Sequence, residues 1–409
     1  MRRSLLALFL VLVFLSACAG AAGAPPEPDP TPIIIPTRTP MPDSLLEPTD
    51  STAICGLEGP ITLGAVVSLS GSAERVGLTI RQGMELALEE INAQHYIGPQ
   101  AELQLLFEDD ESDKDAAARA FRQLIEEQGV VGILGPTLST SSFQAAPVAQ
   151  AFGIPVMSTS NTAAGITEIG SYIFRNSLPD ADLIPNTINA VREEYEFETV
   201  AILYGDDDLF TEAGFAVMQR AAESQELQIL GVERFATGDT DFSEQLTRIQ
   251  ALAPDALLVS ANQEEAAAIL IQARALGIAA PIVGGSGFSS PTLLSTAGPA
   301  AEGLIVGSAW FISNPLPENI TFVDGYRAKF DSEPDQFAAQ AYTGVWLYAH
   351  ALRNACSDHP RDIRDALGTL RLVPTPLGKF SFTRERNPLH PPVVLMVKDG
   401  EFTLFRGNE

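Results

Sequence analysis

Short apolar runs alternate with amphipathic helical stretches along most of this chain, and few architectures accept that pattern. The first series reads as a strand at 61–67, a helix at 77–94, a strand at 103–107, a helix at 112–128, a strand at 130–134, a helix at 142–152 and a strand at 155–157. The strand runs are continuously apolar, as expected when a parallel sheet is covered on both faces. Connections this short impose right-handed crossovers. In 77–94, Ile80, Met84, Leu88 and Ile91 recur at spacings of three and four, which makes one buried stripe. After 171–176 the same grammar restarts, with helices at 181–194, 211–224, 242–252 and 263–276 and strands at 200–204, 228–232, 256–259 and 281–283. The expectation is an α/β chain with two doubly wound parallel-sheet lobes and a cleft between them, where small-molecule sites concentrate. A strand at 304–307 then leads to helices at 319–330, 340–355 and 362–370, and short strands close the chain around 379–382, 393–397 and 402–405.

A length of 409 residues, 45% hydrophobic and 19% charged, supplies two lobes with a core each. The formal charge is −27, and no Lys/Arg cluster occurs beyond the first three residues, which argues against nucleic acid or an anionic membrane surface as partner. The N-terminus carries Arg2-Arg3, an apolar run over 4–15, and Leu15-Ser16-Ala17-Cys18. A bilayer span needs about 20 apolar residues, so this run is a secretory signal and not a membrane helix. Leu-Ser-Ala-Cys resembles the bacterial lipobox, which implies a signal peptide over 1–17 and a lipid on Cys18. Residues 18–54 then form a lipidated tether. It holds nine prolines within 19–50 among small and polar residues, and cannot build a core.

Cys55 and Cys356 remain. In an exported, oxidising setting an even pair invites a disulfide, which would join the entry of the first strand to the end of the helix at 340–355. Two buried free thiols are the alternative.

Motifs for covalent chemistry are absent. His95, His350, His359 and His390 are scattered, without zinc-site spacing. Gly284-Gly285-Ser286-Gly287 is not a nucleophile elbow, and Gly378-Lys379-Phe380 fails the last position of a phosphate loop. Asp206-Asp207-Asp208 reads as a solvated helix leader more readily than as a Ca²⁺ loop. No enzyme, metal or cofactor is expected. The polar feature with a use is 132–162, where two apolar runs end in hydroxyl clusters, Ser139-Thr140-Ser141-Ser142 and Ser158-Thr159-Ser160-Asn161-Thr162. Hydroxyls beside a helix N-terminus, with its free N–H groups and positive dipole end, can seat a carboxylate without an Arg. They can equally be ordinary caps and turns.

From Pro60 to Phe405 the chain resembles the type I periplasmic binding proteins of the leucine/isoleucine/valine-binding family, substrate-capture components of ABC importers. The resemblance rests on ITLGAVVSLSGSAERVG, GMELALEEINA, LLFEDDESDKDAAARAFRQLI, VVGILGPTLSTSSFQAAPVAQAFGIPVMSTSNT, YIFRNSLPDA, GLIVGSAWF and PPVVLMVKDGEF, in that order. It implies two lobes joined by three hinge crossings, near Asp180, Ser308 and Thr383. Lobe 1 would comprise 55–180 and 309–383, and lobe 2 would comprise 181–308 and 384–409. It implies that Ser139, Ser160 and Thr162 grip a ligand carboxylate.

The amine side departs from the family pattern. The usual Tyr is matched by Leu209 and the usual acid by Ser286, while Asp180 is kept. The resemblance also places Val76 where an aromatic is common, with Phe210, Phe288 and Trp310 as candidates to line the space. The reading is therefore a monomeric, lipid-anchored, extracytoplasmic protein that captures an amino acid of the branched-chain type or a related small carboxylate for a membrane permease. A flytrap receptor acting on a separate signalling partner is the alternative.

Overall fold

The structure, a computed structural model, describes residues 55–405. Cys18 and the tether lie outside them. The first series of elements runs β1 (Glu58–Val67), α1 (Glu74–Ala93), β2 (Gln100–Asp109), α2 (Lys114–Glu126), β3 (Ile133–Leu134), α3 (Ser139–Phe152), β4 (Val156–Ser158) and β5 (Ile173–Arg175). Its strands form one parallel sheet in the order β2-β1-β3-β4-β5. The second runs α4 (Asp180–Tyr195), β6 (Thr199–Gly205), α5 (Leu209–Ser224), β7 (Gln228–Phe235), α6 (Ser243–Leu252), β8 (Ala256–Ser260), α7 (Gln263–Ala275), β9 (Ile282–Gly284), α8 (Pro291–Ala297) and β10 (Ile305–Ser308). The chain then adds α9 (Pro317–Phe330), α10 (Gln336–Ala355), α11 (Pro360–Thr369), the hairpin β11 (Val373–Thr375) and β12 (Gly378–Phe380), and finally β13 (Val393–Lys398) and β14 (Glu401–Leu404). The second sheet has the order β14-β13-β10-β9-β8-β6-β7, parallel except for the antiparallel β13 and β14 at one edge.

The inner strands of each sheet are buried on both faces, which is why they read as unbroken apolar runs. One core draws on β1, β2, α1 and the returning α9, α10 and α11, including the fully buried Tyr326 and Tyr348, while α2 and α3 cover the opposite face. The second sheet lies between two further cores built from α6, α7 and α8 and from α4 and α5. Close approach of α1 to α10 requires Gly83, because a Cβ there would lie 2.2 Å from the Ala338 carbonyl oxygen. The helices at 336–369 thus belong with the first sheet although they follow the second in sequence. The polypeptide passes between the lobes three times: before α4, after β10, and between the Phe382–Pro388 bridge and β13.

Three differences from the sequence reading have physical causes. Only Ile133 and Leu134 of the run 130–134 pair as a strand. Residues 173–175 form the edge strand β5, too short for a periodic signal. The helix expected from 142 begins at Ser139, so the hydroxyl cluster is its first turn.

Cys55 and Cys356 are bonded, with Cα atoms 5.3 Å apart and a sequence separation of 301. The bond ties the start of the described chain to the residue that ends α10. Cys356→Ser is expected to lower the unfolding free energy by about 2–4 kcal/mol, read from urea denaturation. Full alkylation of both cysteines in unreduced, unfolded protein would contradict the bond.

Candidate functional site: the interlobe cavity

Parallel strands deliver all their outgoing loops to one edge of a sheet, and a crevice opens where neighbouring strands send their helices to opposite faces. In the first sheet that point lies between β1 and β3, and in the second between β6 and β8. The loops leaving these strands, with those after β4 and β9, surround a cavity of about 280 Å³ between the lobes. This is near the lower end of the roughly 300–1,000 Å³ common for small-molecule pockets. From lobe 1 it takes Val76, Thr137, Ser139, Thr140, Ser141 and Ser160; from lobe 2 it takes Asp207, Asp208, Phe210, Glu265 and Ser286.

The lobe 1 wall is built around the start of α3. Gly135 turns the chain out of β3 with φ of 107° and lies so near β1 that a Cβ would come within 2.0 Å of the Val66 carbonyl oxygen. The turn leads to Leu138 at the N-cap, which offers no side-chain cap. The opening N–H groups of α3 therefore have no partner within the helix or from a cap. The Ser141 hydroxyl is 1% exposed and has no hydrogen-bond partner, and it borders the same cavity. Ser139 accepts a long contact from the Ala163 N–H at 3.5 Å, which leaves its own proton for donation. Ser160 has already donated its proton to the Thr137 carbonyl at 2.6 Å and faces the cavity as an acceptor.

Thr162 and Asp180 are not part of the cavity lining. They sit behind it. Thr162 donates to one Asp180 oxygen at 2.9 Å, and Ser286 donates to the other at 3.3 Å. The Thr162 and Ser286 hydroxyl oxygens are 3.4 Å apart. Asp180, 2% exposed, thus joins a lobe 1 hydroxyl to a lobe 2 hydroxyl beside the first hinge crossing. At the second crossing, Gln336 accepts from the Ser308 hydroxyl and the Ala309 N–H, and donates to the Ser286 carbonyl. Across the cleft Thr140 donates to Asp208, and Arg75 reaches Thr296. The lobes are closed on each other.

Leu209 requires correction. It is the first residue of α5, its side chain is 46% exposed, and Asp208 and Phe210 on either side of it line the cavity instead. A helix start directs successive side chains about 100° apart, so one residue of register decides which of them faces the cleft. Val76 and Phe210 do line it, whereas Phe288 is core and Trp310 is buried with its indole N–H on Asn319. Phe337 and Glu265 are lining residues that the sequence did not single out, and Ser141 was named only as a member of the hydroxyl cluster. Glu265 in particular reads as an ordinary first-turn acid beside Glu264, and only its burial distinguishes it.

A family model described as periplasmic binding protein matches residues 60–401. The chain belongs to the periplasmic binding protein family. Among relatives of this binding protein, the leucine-, isoleucine-, valine-, threonine- and alanine-binding protein of Pseudomonas aeruginosa is 24% identical over 354 residues, covering 86% of this chain and 89% of the relative. The Leu/Ile/Val-binding protein of Escherichia coli K12 is 25% identical over 304 residues, covering 74% of this chain and 81% of the relative. Among solved structures, the branched-chain amino acid transporter substrate binding protein LivJ from Streptococcus pneumoniae, in complex with isoleucine, is 29% identical with a TM-score of 0.79. It covers 84% of this chain and 98% of its own. Members of the family bind solutes outside the cytoplasm and are not enzymes.

Burial pushes the Asp180 carboxyl from its ordinary 3.8 up to about 6, against the Thr162 and Ser286 hydroxyls and the Arg175 charge, which favour the carboxylate. Burial likewise pushes Asp335, the cap of α10, up to about 6. A carboxyl whose folded value lies above its unfolded value holds more protons in the folded state between the two. Its contribution is therefore complete below the unfolded value and is lost as pH rises through about 6. Asp180→Asn is expected to flatten the fall in melting temperature between pH of about 4 and about 6. An unaltered slope would show that Asp180 does not titrate there.

Proposed function

We propose that this binding protein captures a small carboxylate, an amino acid of the branched-chain type or a related acid, and presents it in the closed form to the membrane subunits of an ABC importer. The observation that carries the reading is the uncapped start of α3 with the unpartnered Ser141 hydroxyl, both at the wall of the interlobe cavity. Free N–H groups, the positive end of the helix dipole and hydroxyl protons together form a seat for an anion. Ser139 and Ser141 are its donors. Ser160, having spent its proton on Thr137, serves as an acceptor at the same wall. Val76, Phe210 and Phe337 offer apolar surface for the remainder of the solute.

Capture and closure are one equilibrium. A solute held by both lobes favours the closed state by its differential affinity for closed over open. Thr162 and Asp180 contribute to that closure without touching the solute, since their polar atoms are committed to each other and to Ser286. In this reading a lipid on Cys18 and the proline-rich tether keep the monomeric body near the permease on the extracytoplasmic face.

The test is a melting-temperature screen against amino acids and small carboxylic acids, followed by calorimetry. A ligand at about one hundred times its Kd adds about 2.7 kcal/mol to stability. Ser139→Ala and Ser141→Ala are each expected to weaken binding about tenfold or more, because a hydrogen bond to a charged group is worth about 1.5–3 kcal/mol. Wild-type affinity in both variants would refute the carboxylate seat.

A further inference from the structure

We infer that lobe 1 carries a second binding site, remote from the interlobe cavity, that takes a compact quaternary ammonium cation. It is independent of the solute held between the lobes.

A cavity of about 400 Å³ opens where the end of α1, the start of α9, the middle of α10 and the turn between β11 and β12 meet. All four contribute to the core of lobe 1. Val76, near the start of α1, borders the interlobe cavity, and Glu90, near its end, borders this one. At a helical rise of about 1.5 Å per residue the two sites lie about 20 Å apart.

One wall is aromatic. Tyr342, Trp346 and His350 recur at every fourth position of α10 and so share a face of that helix. Tyr96 meets them from the turn after α1, its ring centroid 5.1 Å from those of both Trp346 and His350 and its hydroxyl 2.8 Å from His350 Nδ1. The Tyr342 and Trp346 centroids are 6.3 Å apart. Arg353, which does not line the cavity, lies over the Tyr96 ring at 4.8 Å, so one ring of the cluster already carries a cation.

The charges that border these rings are negative. Glu90 and Glu318 line the cavity, and no Lys or Arg is among the described residues around it. Glu89 is paired with Lys329, whereas none of the ion pairs among the described residues includes Glu90 or Glu318. Tyr342 donates its hydroxyl to one Glu90 oxygen. Burial pushes the Glu90 carboxyl up from its ordinary value, against the Tyr342 hydroxyl and the Trp346 indole, which favour the charged form. A half-buried carboxylate in such a place calls for a counter-charge.

The lining selects the kind of cation. Aromatic rings attract positive charge through their quadrupole but accept hydrogen bonds poorly. A primary ammonium pressed against them strands N–H donors, at a cost in desolvation. Two carboxylates, one of them bonded to Tyr342, are too few to replace the six or more oxygen ligands of a Ca²⁺ ion. A quaternary ammonium has no N–H to strand, spreads its charge over a methyl surface that rings can cover, and needs only the nearby acids for balance.

The test is a titration of the purified protein with choline chloride, followed through the indole N–H resonances of its two tryptophans, Trp310 and Trp346. Trp346→Phe assigns the resonance of interest by its disappearance. Choline is expected to shift the Trp346 resonance saturably, and the uncharged isostere 3,3-dimethylbutan-1-ol to bind about tenfold more weakly or not at all. Glu90→Gln keeps an acceptor for Tyr342 and is expected to weaken choline about threefold or more. The absence of a saturable shift overturns the inference, as does one confined to Trp310. Equal binding of choline and its isostere overturns it too. So does a Glu90→Gln protein, cooperatively folded by its melting curve, that binds choline like wild type.

Discussion

A parallel strand ends where its loop begins, and in a sheet covered on both faces every such loop emerges at the same edge. That constraint organises this molecule. Both sheets are parallel where it matters, both have a point at which successive helices take opposite faces, and the edges so created are turned toward each other. The loops after β1, β3 and β4 meet those after β6, β8 and β9, so residues more than two hundred positions apart share one small cavity. What gathers there is helix starts, hydroxyls and a few acids.

The cavity and the hinge are separate pieces of polar engineering that touch at Ser286. Its side chain borders the cavity and donates to Asp180, while its carbonyl accepts from Gln336. Asp180 and Gln336 each stand beside a crossing between lobes, and each links groups of both lobes. Buried polar groups of this kind tolerate few arrangements, because any relative displacement of the lobes strands a donor or an acceptor. The closed form is therefore a defined state and not merely the nearest approach of two bodies. The two partners of Asp180 come from different lobes.

The fold was largely legible. Unbroken apolar runs between helical stretches such as 77–94 and 263–276 specify parallel sheets with covered faces, and the restart after 176 specifies two of them. What stayed hidden was local or non-local for identifiable reasons. Three residues, 173–175, are too few to show a period, yet β5 pairs fully with β4. The return of α10 to the first lobe depends on the close contact at Gly83, which no window of sequence contains. The named residues divide by position. Ser139, Ser160 and Ser286 do border the cavity, Thr162 and Asp180 lie one layer behind it, and Leu209 faces solvent.

By itself the sequence determined the architecture, the presence of a cleft, and the hydroxyl-rich stretch that borders it, because periodicity, turn residues and hydroxyl clusters are local properties. Tertiary structure alone decided the use of each hydroxyl and each acid. The proton of Ser160 is committed to Thr137, that of Thr162 to Asp180, and that of Ser141 to nothing. Glu264 and Glu265 are adjacent and chemically alike, yet one lies in solvent and the other is buried with an unmet oxygen. The direction of a side chain at a helix start, and the company it keeps across a cleft, are fixed by packing between segments that are distant in the chain.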